Sequence, residues 1–445
     1  MSFPETPSSV SFGEAFRFWL KLGCISFGGP AGQIAIMHQE LVERRRWISE
    51  KRFLHALNYC MVLPGPEAQQ LATYIGWLMH RTWGGIVAGG LFVLPSLFLL
   101  IGLSWMYVAF GNLPVVAGLF YGIKPAVTAI VVQAAHRIGS RTLKNRILLV
   151  VAAAAFVSIF ALDLPFPAIV AGAALIGFVG GRVLPENFKT GGGHGSGEIS
   201  FGPALIDDDT PTPHHALFRW ARLAKVVTLG ALLWLLPMAL LTILWGWHGT
   251  LPQMGWFFTK AALLTFGGAY AVLPYVFQGA VIHYGWLSGP QMIDGLALGE
   301  TTPGPLIMVV AFVGYLGGNA AAPLGPDMAV MGGILAVVTV TWFTFLPSFL
   351  FILAGGPLVE STHNELRLTA PLVAITAAVV GVIVNLAVFF GYHVFWPDGL
   401  SGHFEWPAAL IAIVAGFALL KYKRGVVEVI CLSAAAGLIL RMAWA

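Results

Sequence analysis

The chain has 445 residues, 58% of them hydrophobic and 10% charged, with mean hydropathy +0.81 and formal net charge +4. Soluble chains carry about 25% charged residues, so composition excludes a soluble globular protein and points to a polytopic helical membrane protein. The pI near 9.0 reflects basic residues gathered in short loops, where they set orientation in a bilayer, and not a surface for nucleic acid.

The N-terminus, "MSFPETPSSV", has neither the basic region nor the apolar run of a signal peptide, so no cleaved targeting segment is expected. The first apolar segment, 14–43, holds "FRFWLKLGCISFGGP", in which Lys21 precedes a break at Phe27, Gly28, Gly29 and Pro30. A basic loop, "ERRRWISEKR" (43–52), separates it from 53–80, which breaks at Pro64, Gly65 and Pro66. Apolar runs continue through 84–109 and past a second basic loop, "HRIGSRTLKNR" (136–146). A polar linker, 184–222, leads to an apolar run at 223–247. The first pattern then returns: "FFTKAALLTFGGA" (257–269) carries Lys260, Phe266, Gly267 and Gly268, and Pro303, Gly304 and Pro305 follow. A last long run covers 367–390. Cys24, Cys60 and Cys431 form no CxxC pair and imply neither a disulfide framework nor a zinc site.

Sliding the chain by 239 residues aligns Lys21 with Lys260, Phe27-Gly28-Gly29 with Phe266-Gly267-Gly268, Trp47 with Trp286, and Pro64-Gly65-Pro66 with Pro303-Gly304-Pro305. No gap is needed. Leu94-Pro95-Ser96 matches Leu346-Pro347-Ser348 at a larger shift, which places an insertion near 317–330. "KPAVTAIVV" (124–132) resembles "APLVAITAAVV" (370–380) more weakly. The expected organisation is two homologous halves, 1–183 and 250–445, joined by the linker 184–222 and one extra span within 223–249.

Loops rich in Lys and Arg belong in the cytoplasm: 43–52, 136–146, "FRWARLAK" (218–225) and "KYKR" (421–424). Loops lacking both belong outside: 111–114, 163–167, 247–253 and 283–291. If 14–43 and 53–80 were ordinary spans, 136–146 would fall outside. Two topologies remain. One has thirteen simple spans and a misplaced basic loop. The other makes both segments re-entrant helical hairpins that turn at the Gly/Pro breaks, with about four full spans per half. The arms 17–27 and 53–63 favour hairpins, since each is about 16 Å of helix, roughly half a bilayer. Either way the second half is inverted and the N-terminus is cytoplasmic. The expected fold class is an all-α polytopic membrane protein of two inverted-topology repeats.

Broken backbone at membrane depth is tolerated only where it is packed in protein or lines a polar cavity. Gly/Pro-interrupted helices at matching places in two inverted halves point to a transporter's substrate site. Half-helices starting near Ala31, Glu67, Ala269 and Leu306 would aim backbone N–H groups at an anion. A charge near mid-membrane is a functional candidate, and Lys21 and Lys260, related by the repeat, together match a dianion. The alternative is that each lysine snorkels to an interface.

"SFGGPAGQIAIMHQELVERRRWI" with "RFLHALNYCMVLPGPEAQQLATYIGW" resembles the chromate transporter family, and "TFGGAYAVLPYV…YGWLSGPQMIDGLALGETTPGP" resembles its C-terminal repeat. The resemblance covers nearly the whole chain. It implies a bacterial inner-membrane carrier that expels chromate, handles its isostere sulfate, and is driven by membrane potential or protons. The family pattern falls on the Phe-Gly-Gly and Pro-Gly-Pro residues named above. Ala269 stands where the first repeat has Pro30, so the two tips are not equivalent.

Around the tips, Ser26 and Thr265 occupy matching positions, and their hydroxyls either donate to an oxyanion or bond the carbonyl at i−4. Asn58, Tyr270, Thr301 and Thr302, with Gln33, Gln69 and Gln70, line the tips or satisfy backbone. Glu67 and Glu300 flank the Pro-Gly-Pro turns and carry a coupling proton or pair with the lysines. Cys24 and Cys60 read as small packing residues, and Arg44 to Arg46 as orientation anchors. His194, His214, His215 and Asp207 to Asp209 lack metal-ligand spacing, in a linker expected to be disordered. The expected partners are a chromate or sulfate oxyanion and the bilayer, with a homodimer left open and no cofactor, metal or nucleic acid. Competing readings are a sulfate or other small-anion carrier, an anion channel, and a membrane enzyme acting on lipid-linked phosphate. The enzyme would need polar catalytic clusters at a membrane face, and none recurs in both repeats.

Overall fold

Short broken helices open each half of the chain, and long apolar ones close it. The computed structural model describes residues 9–27, 29–111, 113–188, 201–207, 210–211, 213–266, 268–361 and 369–444. In the first half α1 (Phe12–Ile25), α2 (Gly29–His38), α3 (Glu50–Val62) and α4 (Glu67–Phe110) precede α5 (Pro114–Thr142), α6 (Arg146–Phe160) and α7 (Phe166–Val183). After α8 (Trp220–Trp245) come α9 (Thr250–Leu263), α10 (Ala269–Phe277), α11 (Gly289–Thr301), α12 (Val309–Ala321) and α13 (Ala329–Ser361). The chain closes with α14 (Thr369–Phe395), α15 (Trp406–Leu420) and α16 (Val426–Trp444). Among the described residues, seven helices are long and apolar enough to cross a membrane: α4, α5, α7, α8, α13, α14 and α16. The protein is a polytopic membrane protein.

Local chemistry repeats with the sequence offset. Ser49 caps α3 and Ser288 caps α11, each hydroxyl accepting from the backbone N–H three residues on. α1 and α3, of 14 and 13 residues, reach only about 20 Å, short of a hydrocarbon core of roughly 30 Å. The breaks that follow them turn through backbone of positive φ, at Gly29 (+74°) and Gly65 (+133°), matched by Gly268 (+96°) and Gly304 (+100°). Wide π turns at Gln39–Arg44 and Gln278–His283 also match, each followed by a left-handed residue, Arg46 and Gly285. α4 is interrupted at His80 and Arg81. At the corresponding place a loop separates α12 from α13, which is where the insertion was expected.

The halves interleave. α6 and α7 pack on α14, α15 and α16 pack on α5, and α5 and α14 pack on each other. Some of these crossings leave no room for a side chain: a Cβ on Gly381 would lie 1.9 Å from the Ala152 carbonyl oxygen. At one end of the bundle, Arg52 of α3 donates to Glu360 of α13 (2.6 Å), whose other oxygen accepts from Tyr74 (2.5 Å).

The linker departs from the expected disorder over its described part. Leu205 N donates to the Arg46 carbonyl (3.0 Å), Ile206 N to that of Trp47 (3.1 Å), and Ser49 N to that of Ile206 (3.0 Å). Ile206 and Ala216 are buried in the α1–α4 core, and His215 Nε2 lies 2.9 Å from the Trp77 carbonyl. A few apolar residues suffice because they land on an apolar face already formed. His194, Asp208 and Asp209 lie outside the described residues. Cys60 is buried as expected, whereas Cys24 is exposed, on a part of α1 turned away from the core.

Candidate functional site

Two backbone hydrogen bonds join the halves at their breaks. Gly65 N donates to the Thr265 carbonyl (2.7 Å), and Gly304 N donates to the Ser26 carbonyl (2.8 Å). Each ties the Pro-Gly-Pro turn of one half to the Phe-Gly-Gly turn of the other. The four turns therefore form two cross-half pairs. Gln33 strengthens the second pair, with its amide nitrogen donating to the carbonyls of Gly304 (2.5 Å) and Ser26 (3.3 Å). Gln70 does the same within its own half, donating to the Pro64 carbonyl (2.8 Å).

The two kinds of turn differ in their surroundings. A Cβ on Gly65 would lie 2.4 Å from Ser348 Oγ, and one on Gly304 would lie 2.8 Å from Ser96 Cβ. These turns are packed against the opposite half. A Cβ on Gly29 would meet nothing within 4 Å, and one on Gly268 only Pro30 Cγ at 4.0 Å. The Phe-Gly-Gly turns thus border open space, and α2 and α10 start there with first-turn N–H groups that have no partner further up their own helix. Pro30 removes one donor from the first tip, so the tips are unequal.

Several polar atoms near this crossing are buried without a hydrogen-bond partner: Ser26 Oγ, Gln33 Oε1, Gln69 Oε1, Gln70 Oε1, Ser96 Oγ and Ser348 Oγ. Leaving such groups unpaired costs about 1–3 kcal/mol each, so a cluster of them marks a place where a ligand or water completes the bonding. Sequence reasoning used Ser96 and Ser348 only as repeat landmarks. Their recurrence in Leu-Pro-Ser was the signal that could have placed them at the site.

The other expected residues divide. Thr265 spends its hydroxyl on the Ala261 carbonyl (2.7 Å), whereas Ser26 at the matching position stays free. Thr301 bonds back to Ala297 and Thr302 to Gly299. Tyr270 donates to the buried Glu300, and the Arg137 guanidinium stands 5.9 Å from the Tyr270 ring. Glu67 is half-buried at the start of α4; Pro66, Pro303 and Pro305 are buried in their turns, and Pro64 is half-buried. Lys21, Phe27 and Asn58 are exposed. Lys260 and Phe266 are half-buried, with the Lys260 ammonium 5.7 Å from the Trp256 ring. Gly28 and Gly267 lie outside the described residues.

Comparison with known proteins identifies the family. A family model described as chromate transporter matches residues 13–178 and, separately, 252–438. A chromate transport protein of Pseudomonas aeruginosa is 35% identical over 85% of this chain and 80% of its own. One from Cupriavidus metallidurans is 28% identical over 95% of this chain and 94% of its own. A probable chromate transport protein of Synechococcus elongatus is 27% identical over 97% and 96%. No solved structure matches this chain significantly. With the family model matched over two stretches that cover most of the chain, the chain belongs to the chromate transporter family and is a membrane transporter, not an enzyme.

Proposed function

We propose that the chain is a secondary transporter that exports chromate across a bacterial inner membrane, accepts sulfate as its isostere, and is driven by membrane potential or protons. The observation that carries this reading is the pair of cross-half hydrogen bonds, Gly65 to Thr265 and Gly304 to Ser26, which hold four broken helices beside open space. In this reading the halves 1–183 and 250–445 are inverted repeats, each with two re-entrant hairpins. Contacts support hairpins over simple spans. Glu14, at the start of α1, lies 3.7 Å from Arg45, beyond α2. His80, at the far end of the second broken pair, lies 2.9 Å from the Val10 carbonyl. In the second half a Cβ on Gly317 would touch both Met254 and Trp286. Basic loops also gather with the linker at one end, as in the bond from Asn145 to the Asn187 carbonyl (2.7 Å). With that end cytoplasmic, the N-terminus is cytoplasmic too.

The anion sits between the first turns of α2 and α10. It takes backbone N–H groups and the Ser26 hydroxyl as donors, with Lys21 and Lys260 supplying charge and Glu67 or Glu300 carrying a coupling proton. Purified protein in proteoliposomes tests this, with membrane potential and pH gradient imposed separately. Chromate is expected to move in response to one of them and to be competed by excess sulfate. Flux that ignores both gradients and runs at channel rates would overturn the carrier reading.

A further inference from the structure

A cavity of about 580 Å³ opens between α4, α5, α11, α14 and α16, lined in part by Lys124, Arg441, Asp294, Glu405 and His393. It lies at the end of the bundle away from the basic loops. Asp294 is only 3% exposed, yet it stands on this wall. Its Oδ2 lies 3.4 Å from the Lys124 ammonium and accepts from the Tyr107 hydroxyl (2.9 Å). Its Oδ1 is buried with no hydrogen-bond partner. Glu405 accepts from Tyr121 (2.7 Å).

A purely structural clasp accounts for Oδ2 but not for the orphaned Oδ1. At the opposite end the comparable cross-half clasp is closed, because both oxygens of Glu360 are taken, by Arg52 and by Tyr74. The cavity also holds a second cation, Arg441, that the clasp does not need. Charges placed within apolar membrane helices are costly and mark ion pathways.

We propose that this cavity is a second oxyanion site, in which Lys124 releases Asp294 and takes a tetrahedral dianion when Asp294 is protonated at Oδ1. The proposal rests on the transporter reading above, but not on the position of the central site. With Asp294 and Glu405 both ionised, the two cations are already matched and an arriving dianion meets two carboxylates. One proton from solvent on Oδ1 removes one of those charges and frees Lys124, while Oδ2 keeps its bond from Tyr107. The proton returns to the same side when the anion leaves, so passage consumes no gradient. The groups facing Asp294 and its cavity are Lys124 and Tyr121 from α5, Tyr107 from α4, His393 from α14, Arg441 from α16, and Glu405 ahead of α15. α12 presents Phe312, against the Tyr107 ring. His393 is held by its own helix, Nδ1 lying 3.0 Å from the Phe389 carbonyl.

The test uses the purified full chain with its three cysteines replaced by alanine and Ala117→Cys introduced on the cavity wall. Sulfate, which stays doubly charged throughout, is titrated as a protectant against thiol labelling at mildly acidic and mildly alkaline pH. Protection is expected to be about tenfold tighter at the acidic pH, equally tight at both in Asp294→Asn, retained in Lys124→Arg and lost in Lys124→Gln. Equal protection at both pH values in the parent, or full protection in Lys124→Gln, would overturn the proposal. Size-exclusion profiles confirm folding, and Lys124→Arg guards against a purely structural loss. Ser26→Ala separates the two readings, since it is expected to weaken transport while leaving this protection intact. Missing protection alongside normal transport sinks only the outer site.

Discussion

Gly65→Ala and Gly304→Ala are each expected to remove most transport from protein that still inserts. Both glycines have positive φ and both sit where a Cβ would strike the opposite half, at Ser348 Oγ (2.4 Å) or Ser96 Cβ (2.8 Å). Backbone strain of this kind costs about 1–3 kcal/mol, and overpacking costs about 1–3 kcal/mol more. Even 2 kcal/mol is about a 30-fold change in the population of an intact crossing. Removing the obstructing hydroxyl separates the two costs. Gly65→Ala combined with Ser348→Gly is expected to recover the part of the steric share due to Ser348, but neither the part due to Gln70 Nε2 (2.6 Å) nor the share from φ. Gly102→Ala is the control, because a Cβ there meets nothing within 4 Å, and its transport is expected to be unchanged. Flux is measured in proteoliposomes and normalised to monodisperse protein. Wild-type flux in both single variants would mean that the crossing does not matter.

The second large effect concerns charge. Lys21→Gln and Lys260→Gln are each expected to weaken chromate binding much more than the corresponding Arg variants. Losing a charge-assisted contact to a dianion costs roughly 1.5–3 kcal/mol, about 10- to 150-fold in affinity. Arg keeps the charge and can still donate to an oxyanion. The rival account, a lysine that snorkels along the helix to an interface, predicts lower abundance but unchanged affinity per folded molecule. Lys21 is exposed, and Lys260 stands against Trp256, so affinity must be normalised to folded protein. Unchanged affinity in both Gln variants would leave helix N–H groups and Ser26 as the anion's ligands.

The repeat was legible because glycine and proline leave local, periodic marks. A constant offset of 239 carries the positive-φ glycines, the π turns and the serine caps alike. The interleaving was not legible. Which half supplies the acceptor for Gly65 or Gly304 depends on tertiary packing between segments far apart in the chain, to which periodicity is blind. The difference between Ser26 and Thr265 was also invisible. Both hydroxyls can bond the carbonyl at i−4, and only Thr265 does so. Lys124 and Asp294 went unremarked in the sequence, because their pairing across 170 positions follows from α5 packing on α11. The described part of the linker folds because Ile206 and Ala216 meet a preformed apolar face, which its polar composition concealed.

The central claim is that the anion binds where the Phe-Gly-Gly turns face each other. Crystals of the full chain grown with chromate test it most directly, through the anomalous signal of chromium. The account predicts a chromium peak between the first turns of α2 and α10, close to Ser26. A well-diffracting complex with its only chromium peak elsewhere, including the outer cavity, would contradict it.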